Sequence, residues 1–167
     1  TGNEIILSIP SVGATENLML YATSCRGKTV LVNAAREPEI SELQDYLRAA
    51  GFKVDGAGSP VIEIEGEPGV LRNAEITHVV MPDRIAAATW LCSVMAAGGE
   101  IEVDGVEPLH ISAVTDFLAQ AGCRTQHTKN GIKAWASARP RAFGAMVRTG
   151  PYPCFPTDVQ PLICASM

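Results

Sequence analysis

Pro38-Glu39-Ile40-Ser41-Glu42-Leu43-Gln44-Asp45-Tyr46-Leu47-Arg48-Ala49-Ala50-Gly51 is the stretch from which the architecture can be read. Apolar side chains recur at Ile40, Leu43, Tyr46, Leu47 and Ala50, which is one face of a helix with Pro in its first turn and Gly just past its end. About 71 positions on, residues 108–122 repeat the pattern at Ile111, Val114, Phe117, Leu118 and Ala121, again between a Pro and a Gly. A fixed period of this kind marks a duplicated supersecondary unit.

The repetition spreads outward from both helices. A short strand is expected before each, at residues 29–32 and 100–103, and before that a largely apolar helix at 14–25 and 85–97. A helix apolar on all sides has no solvent face, so both should be enclosed by other elements. After each amphipathic helix come two short strands, at 53–54 with 61–64 and at 124–127 with 132–135. Gly56-Ala57-Gly58 and Lys129-Asn130-Gly131 supply the turns between them. The unit therefore reads βαβαββ, twice, an α/β chain. A third copy begins near the C-terminus. Strand, proline, loop and helix follow one another at Ile9-Pro10, at Met81-Pro82, and from residues 144–148 through Pro151, Pro153 and Pro156 to Val159. Each proline ends a strand because it cannot donate to the ladder. Each loop then opens a helix whose first N–H groups lack partners, so the three loops are equivalent places for an anionic ligand.

The net charge of −5 argues against non-specific nucleic-acid binding, which needs clustered Lys and Arg, although a few placed arginines can still hold a small anion. Cys25, Cys92, Cys123, Cys154 and Cys164 are widely spaced and odd in number, with no CxxC pair. His78, His110 and His127 do not sit at metal-ligand spacing near them. Reduced core cysteines are the expectation, with no metal and no cofactor. The apolar run at 85–97 is too short to span a bilayer, and no leader segment precedes the first strand, so a soluble protein with no membrane partner is expected. Both ends read as cut: one starts abruptly as a strand and the other as a helix that stops partway. Such a severed unit leaves apolar surface through which copies could self-associate.

Taken by chemistry alone, the loops keep two readings each. In Pro10-Ser11-Val12-Gly13-Ala14, Ser11 suits a helix cap and Gly13 permits close approach of a ligand to the backbone. In Asn33-Ala34-Ala35-Arg36-Glu37-Pro38-Glu39, the carboxylates favour the helix dipole and Arg36 can pair with one of them, or the same charges line a cleft. In the proline-rich loop of residues 149–158, Asp158 is either an N-cap or a general base beside Thr157.

Together the stretches PSVGATEN, NAAREPEI, PDRI and PYPCFPTDVQ, in this order and spacing, resemble the UDP-N-acetylglucosamine 1-carboxyvinyltransferase family through essentially the whole chain. The resemblance implies an inside-out α/β barrel of two similar domains, each of three βαβαββ units. Residues 1–80 would be the last unit of the first domain, and 81–167 the first unit of the second plus the start of the next. It implies a cytoplasmic transferase moving the enolpyruvyl group of phosphoenolpyruvate onto the sugar 3-hydroxyl of UDP-N-acetylglucosamine with release of phosphate. That is the first committed step of peptidoglycan synthesis. By the same resemblance, Ser11, Val12 and Gly13 would contact the UDP portion and Thr157 and Asp158 the sugar. Asp158 would be the base and Glu37 a second catalytic residue, and Glu37 and Arg84 would line the cleft, Arg84 binding substrate. The family's reactive cysteine loop and the arginines that clamp phosphoenolpyruvate fall outside the chain, so the 167 residues alone are expected not to turn over. Two departures stand out: Ile9 occupies a position where some members have lysine, and Cys154 replaces a small residue. The alternatives are the sister enzyme acting on shikimate 3-phosphate and a non-catalytic UDP-sugar-binding paralogue.

Overall fold

A computed structural model describes residues 1–69, 75–136 and 146–167. Two compact units divide them, Thr1–Met81 and Pro82–Met167.

The first unit runs β1 (Glu4–Ile6), α1 (Val12–Thr23), β2 (Gly27–Val32), α2 (Pro38–Ala49), β3 (Lys53–Asp55) and β4 (Val61–Gly66). This is the expected βαβαββ. The sheet order is β1-β2-β4-β3, with β1 parallel to β2 and the other pairs antiparallel. In β4 the side chains alternate: Ile62 and Ile64 are fully buried, while Val61, Glu63 and Glu65 face out. Leu31 of β2 lies opposite Ile62 on the same buried face. Met19 and Ala22 of α1, with Ile40 and Leu47 of α2, complete this core. Each fully buried Leu or Ile contributes about 1.5–3 kcal/mol relative to exposure.

The second unit runs α3 (Arg84–Ala97), β5 (Gly99–Asp104), a 3-10 turn (Pro108–Ile111) leading into α4 (Ser112–Gln120), β6 (Arg124–His127), β7 (Gly131–Ala136), and a second 3-10 turn (Thr157–Val159) leading into α5 (Gln160–Ser166). Its sheet order is β5-β7-β6, wholly antiparallel. Element for element this repeats β2-β4-β3. Leu91 and Met95 of α3, Val114 and Leu118 of α4, and Ile132 and Ala134 of β7 fill its core, with Val159 and Ile163 closing one side.

The repeat extends to how the amphipathic helices stop. After α2 the Gly51 amide bonds to the Arg48 carbonyl at 2.8 Å and the Phe52 amide to the Leu47 carbonyl at 2.9 Å. After α4 the Gly122 amide bonds to the Ala119 carbonyl at 3.1 Å and the Cys123 amide to the Leu118 carbonyl at 2.9 Å. Both caps need a left-handed residue, and Gly51 and Gly122 have φ of 88° and 92°.

Three expectations are corrected. The strand before α3 does not form: residues 75–83 are irregular, and Val79 and Val80 are largely exposed. In place of a ladder bond, the Met81 amide donates to Glu42 Oε1 of α2 at 3.0 Å, so the second unit reads αβαββ. Neither apolar helix is enclosed. Each buries the side facing its sheet and leaves the other open, at Leu20 and Tyr21 of α1 and at Trp90 of α3. The strand expected at 144–148 begins outside the described residues. Met146, Val147 and Arg148 are irregular, and a bridge between Thr149 and Phe155 follows.

No helix among the described residues is long and apolar enough to cross a membrane. Nothing lies within 4 Å of where a Cβ on Gly122 would sit, so Gly122→Ala isolates the cost of the left-handed backbone. We expect a loss of about 1–2 kcal/mol in urea unfolding, with Gly122→Asn losing less.

Candidate functional site

In the first unit, β1 and β2 are parallel, so the loops that follow them emerge at the same edge of the sheet. Thr15 ties them together. Its hydroxyl, fully buried, donates to the Ser11 carbonyl at 2.8 Å and accepts the Ala35 amide at 3.0 Å. Asn33, with φ of 60°, turns β2 into its loop and donates from Nδ2 to the Leu7 carbonyl at 2.8 Å. Neither residue was singled out from sequence. The signals were present: a hydroxyl four positions after Ser11 inside an apolar helix, and an Asn, the non-glycine type most tolerant of this backbone, closing a strand.

Ser11 is the N-cap of α1, its Oγ accepting the Ala14 amide at a long 3.4 Å. Val12 is half-buried against the core. Gly13 is exposed, and a Cβ there would meet nothing within 4 Å, so the packing of the chain does not demand glycine. Glu37 occupies the N-cap position of α2 but makes no side-chain cap to the helix. It is buried, and its Oε2 accepts the Arg36 amide at 3.0 Å. The expected pairing of Arg36 with a neighbouring carboxylate is not formed: its side chain is exposed, without an ion-pair partner among the described residues.

In the second unit, Asp83 caps α3 firmly, its Oδ1 accepting the Ile85 and Ala86 amides at 2.9 Å each. Arg84, the next residue, is buried, and its guanidinium carbon lies 5.8 Å from the centroid of the Tyr152 ring. The proline-rich loop is pinned further on. Phe155 is buried edge-on against Phe117 of α4, with ring centroids 5.8 Å apart, and Val159 is fully buried. Between these anchors Thr157 and Asp158 are exposed on the 3-10 turn. The N-cap position there belongs to Pro156, and Asp158 sits inside the turn without a cap bond. Its carboxylate has no hydrogen-bond or ion-pair partner among the described residues.

The cysteines divide. Cys92 and Cys123 are buried in the core as expected, whereas Cys154 and Cys164 are exposed and Cys25 is half-buried. The two exposed thiols lie outside the apolar interior because the helix and loop that carry them present those positions to solvent. Burial pushes the Cys92 thiol up to about 11, reinforced by Cys123 beside it, and raises Cys123 for the same reason.

The whole chain, residues 1–167, matches the family model described as EPSP synthase (3-phosphoshikimate 1-carboxyvinyltransferase). The chain belongs to the EPSP synthase family. Among curated relatives it is 48% identical over 164 residues to UDP-N-acetylglucosamine 1-carboxyvinyltransferase 1 of Symbiobacterium thermophilum, covering 98% of this chain and 36% of that protein. It is 44% identical to UDP-N-acetylglucosamine 1-carboxyvinyltransferase 2 of Caldanaerobacter subterraneus subsp. tengcongensis, over 97% of this chain and 38% of the relative. The chain thus spans little more than a third of the length of these relatives. Among solved structures, the enolpyruvyl transferase NikO from Streptomyces tendae superposes with a TM-score of 0.67 at 20% identity, over 81% of this chain and 34% of that one. An EPSP synthase from Acinetobacter baumannii gives 0.51 at 19%, over 81% and 31%. These likenesses carry the EPSP synthase-like fold.

Two measurements test the geometry within each unit. Thr15→Val keeps the shape but leaves the buried Ala35 amide without an acceptor, and should cost about 1–3 kcal/mol in urea unfolding, with Thr15→Ser costing much less. Because burial shields Cys92 and Cys123 and disfavours their thiolates, an aromatic disulfide reagent at pH 8 should label Cys154 and Cys164 rapidly and the buried pair only on unfolding.

Proposed function

We propose that this chain is part of an enzyme that transfers the enolpyruvyl group of phosphoenolpyruvate to the sugar 3-hydroxyl of UDP-N-acetylglucosamine with release of phosphate, the first committed step of peptidoglycan synthesis. The observation that carries the reading is Asp158. It is an exposed carboxylate without a partner among the described residues, on a turn anchored at both sides by Phe155 and Val159, within a chain 48% identical to a protein bearing that enzyme name. A general base must be held ready without spending its lone pairs on its own fold.

In this reading the hydroxyl oxygen bonds to the phosphate-bearing carbon of the enolpyruvyl double bond while Asp158 takes the hydroxyl proton and a donor outside this chain protonates the methylene carbon; phosphate then leaves as that carbon gives up a proton and the double bond reforms. Thr157 contacts the sugar beside it. Ser11, Val12 and Gly13 receive the UDP portion at the mouth of α1, where the open space over Gly13 leaves room for a ligand against the backbone. Glu37 and Arg84 would line the substrate cleft of the whole enzyme. Cationic groups outside this chain would neutralise the phosphate and carboxylate as charge shifts. Residues 1–80 would be the last repeat of one domain, and 81–167 the first repeat of the other with the start of the next.

The test is phosphate release from phosphoenolpyruvate by the full-length protein, wild type beside Asp158→Asn. Release should depend on UDP-N-acetylglucosamine and fall by about 10²–10⁴-fold in the variant, the usual worth of a positioned base. Undiminished activity would reduce Asp158 to a structural turn residue. A folded wild-type protein that binds the sugar nucleotide without releasing phosphate would point to a binding-only paralogue.

A further inference from the structure

Glu42 and Tyr46 lie four positions apart on α2 and so share one face of that helix. His78 sits across both. Its Nε2 is 2.7 Å from Glu42 Oε1, and its ring meets the Tyr46 ring edge-on, with centroids 5.5 Å apart. The Met81 amide donates to the same Glu42 oxygen at 3.0 Å. One carboxylate oxygen has two lone pairs, so it can serve both donors at once. The side chains of His78 and Glu42 are 21% and 24% exposed, against 51% and 49% for the surface pair of Lys28 and Glu63, so water and salt screen this contact less. The chain around it is irregular: Ile76 and His78 are half-buried, while Glu75, Thr77, Val79 and Val80 are exposed. A segment laid on the core through few contacts opens at lower free energy than the core itself. Two residues beyond Met81, Asp83 caps α3, so Pro82 is the single residue between the Met81 tie and that cap.

We propose that residues 78–81 form a strap, closed on α2 by Glu42, whose opening lengthens the free chain joining the two units without unfolding either one. Closed, the strap leaves Pro82 between two pinned points; open, the free stretch reaches back past His78. Glu42 decides between these states, because both hydrogen bonds end on its Oε1. Tyr46, one turn further along α2, holds the imidazole ring on the same face. The strap is a property of the fold and does not depend on the proposed reaction.

The experiment uses the full-length protein with Glu42→Ala, His78→Phe and the two combined. Hydrogen exchange read by mass spectrometry follows peptides covering residues 76–81 beside peptides of β2 and β4. Elastase cleavage after Val79 or Val80 reads the opened strap independently. Glu42→Ala should speed strap exchange and cleavage by roughly 10- to 150-fold, the worth of a hydrogen bond to a charged group, with exchange in β2 and β4 unchanged. His78→Phe keeps a ring against Tyr46 but removes the N–H, and should speed both by a smaller factor because the Met81 tie remains. The double variant should match Glu42→Ala, since His78 acts through that carboxylate. If Glu42→Ala does not fold, His78→Phe faces the same two readouts alone. Strap exchange and cleavage at the wild-type rate overturn the proposal. Acceleration that spreads equally to β2 and β4 also overturns it, because Glu42 then serves global stability. Losses that multiply in the double variant do the same, because the two residues then act apart.

Discussion

Each unit of this chain rests on an antiparallel strand pair, β2 with β4 and β5 with β7, in which one face is apolar and the other charged. The pleat alternates side chains strictly, so Ile62 and Ile64 point inward while Glu63 and Glu65 pair outward with Lys28 and Lys53. That one-sidedness dictates the rest. Both helices of a unit must cover the same face, and only one side of each helix is then buried. Exposed Leu20, Tyr21 and Trp90 are the direct consequence. They are the parts of two apolar helices for which the unit's own sheet has no surface left.

The same constraint sets where chemistry is presented. With β1 parallel to β2, the loops at their ends share an edge, and Thr15 joins them with one hydroxyl serving as donor and acceptor. The two loops are thus joined through one buried hydroxyl before any ligand is present. The second unit holds its loop by a different route. Aromatic and aliphatic anchors, Phe155 and Val159, hold a short turn so that Thr157 and Asp158 stay outside the core. Asp83 satisfies the first amides of α3, leaving the adjacent Arg84 to face the loop.

Much of the local geometry at the helix mouths is legible in sequence because helix mouths announce themselves. Ser11 before an apolar run was read as a cap and is one, though a long one at 3.4 Å. By sequence Asp158 suits either a cap or a base, and the structure gives the cap position to Pro156. Glu37 was read as a charge beside the helix dipole, yet its carboxylate turns back to the Arg36 amide and is buried, an outcome that depends on the packing around the loop. Thr15 and Asn33 escaped notice because their partners lie 20 and 26 residues away, and no local pattern records such a bond.

By itself the sequence determined most of the elements and their repetition: a period near 3.6 in α2 and α4, alternation in β4, a proline opening α2 and the 3-10 turn before α4, and a glycine just past the end of each helix. These are local properties, fixed by sterics and by the side on which successive side chains fall. Only the tertiary structure decided which helix faces are covered and where Arg84 and Glu37 point. It also decided that residues 75–81 run unpaired by strands while Glu42 takes the Met81 amide and lies 2.7 Å from His78. Those outcomes depend on which distant group reaches a donor or a patch first, and a chain read in order does not contain that distance.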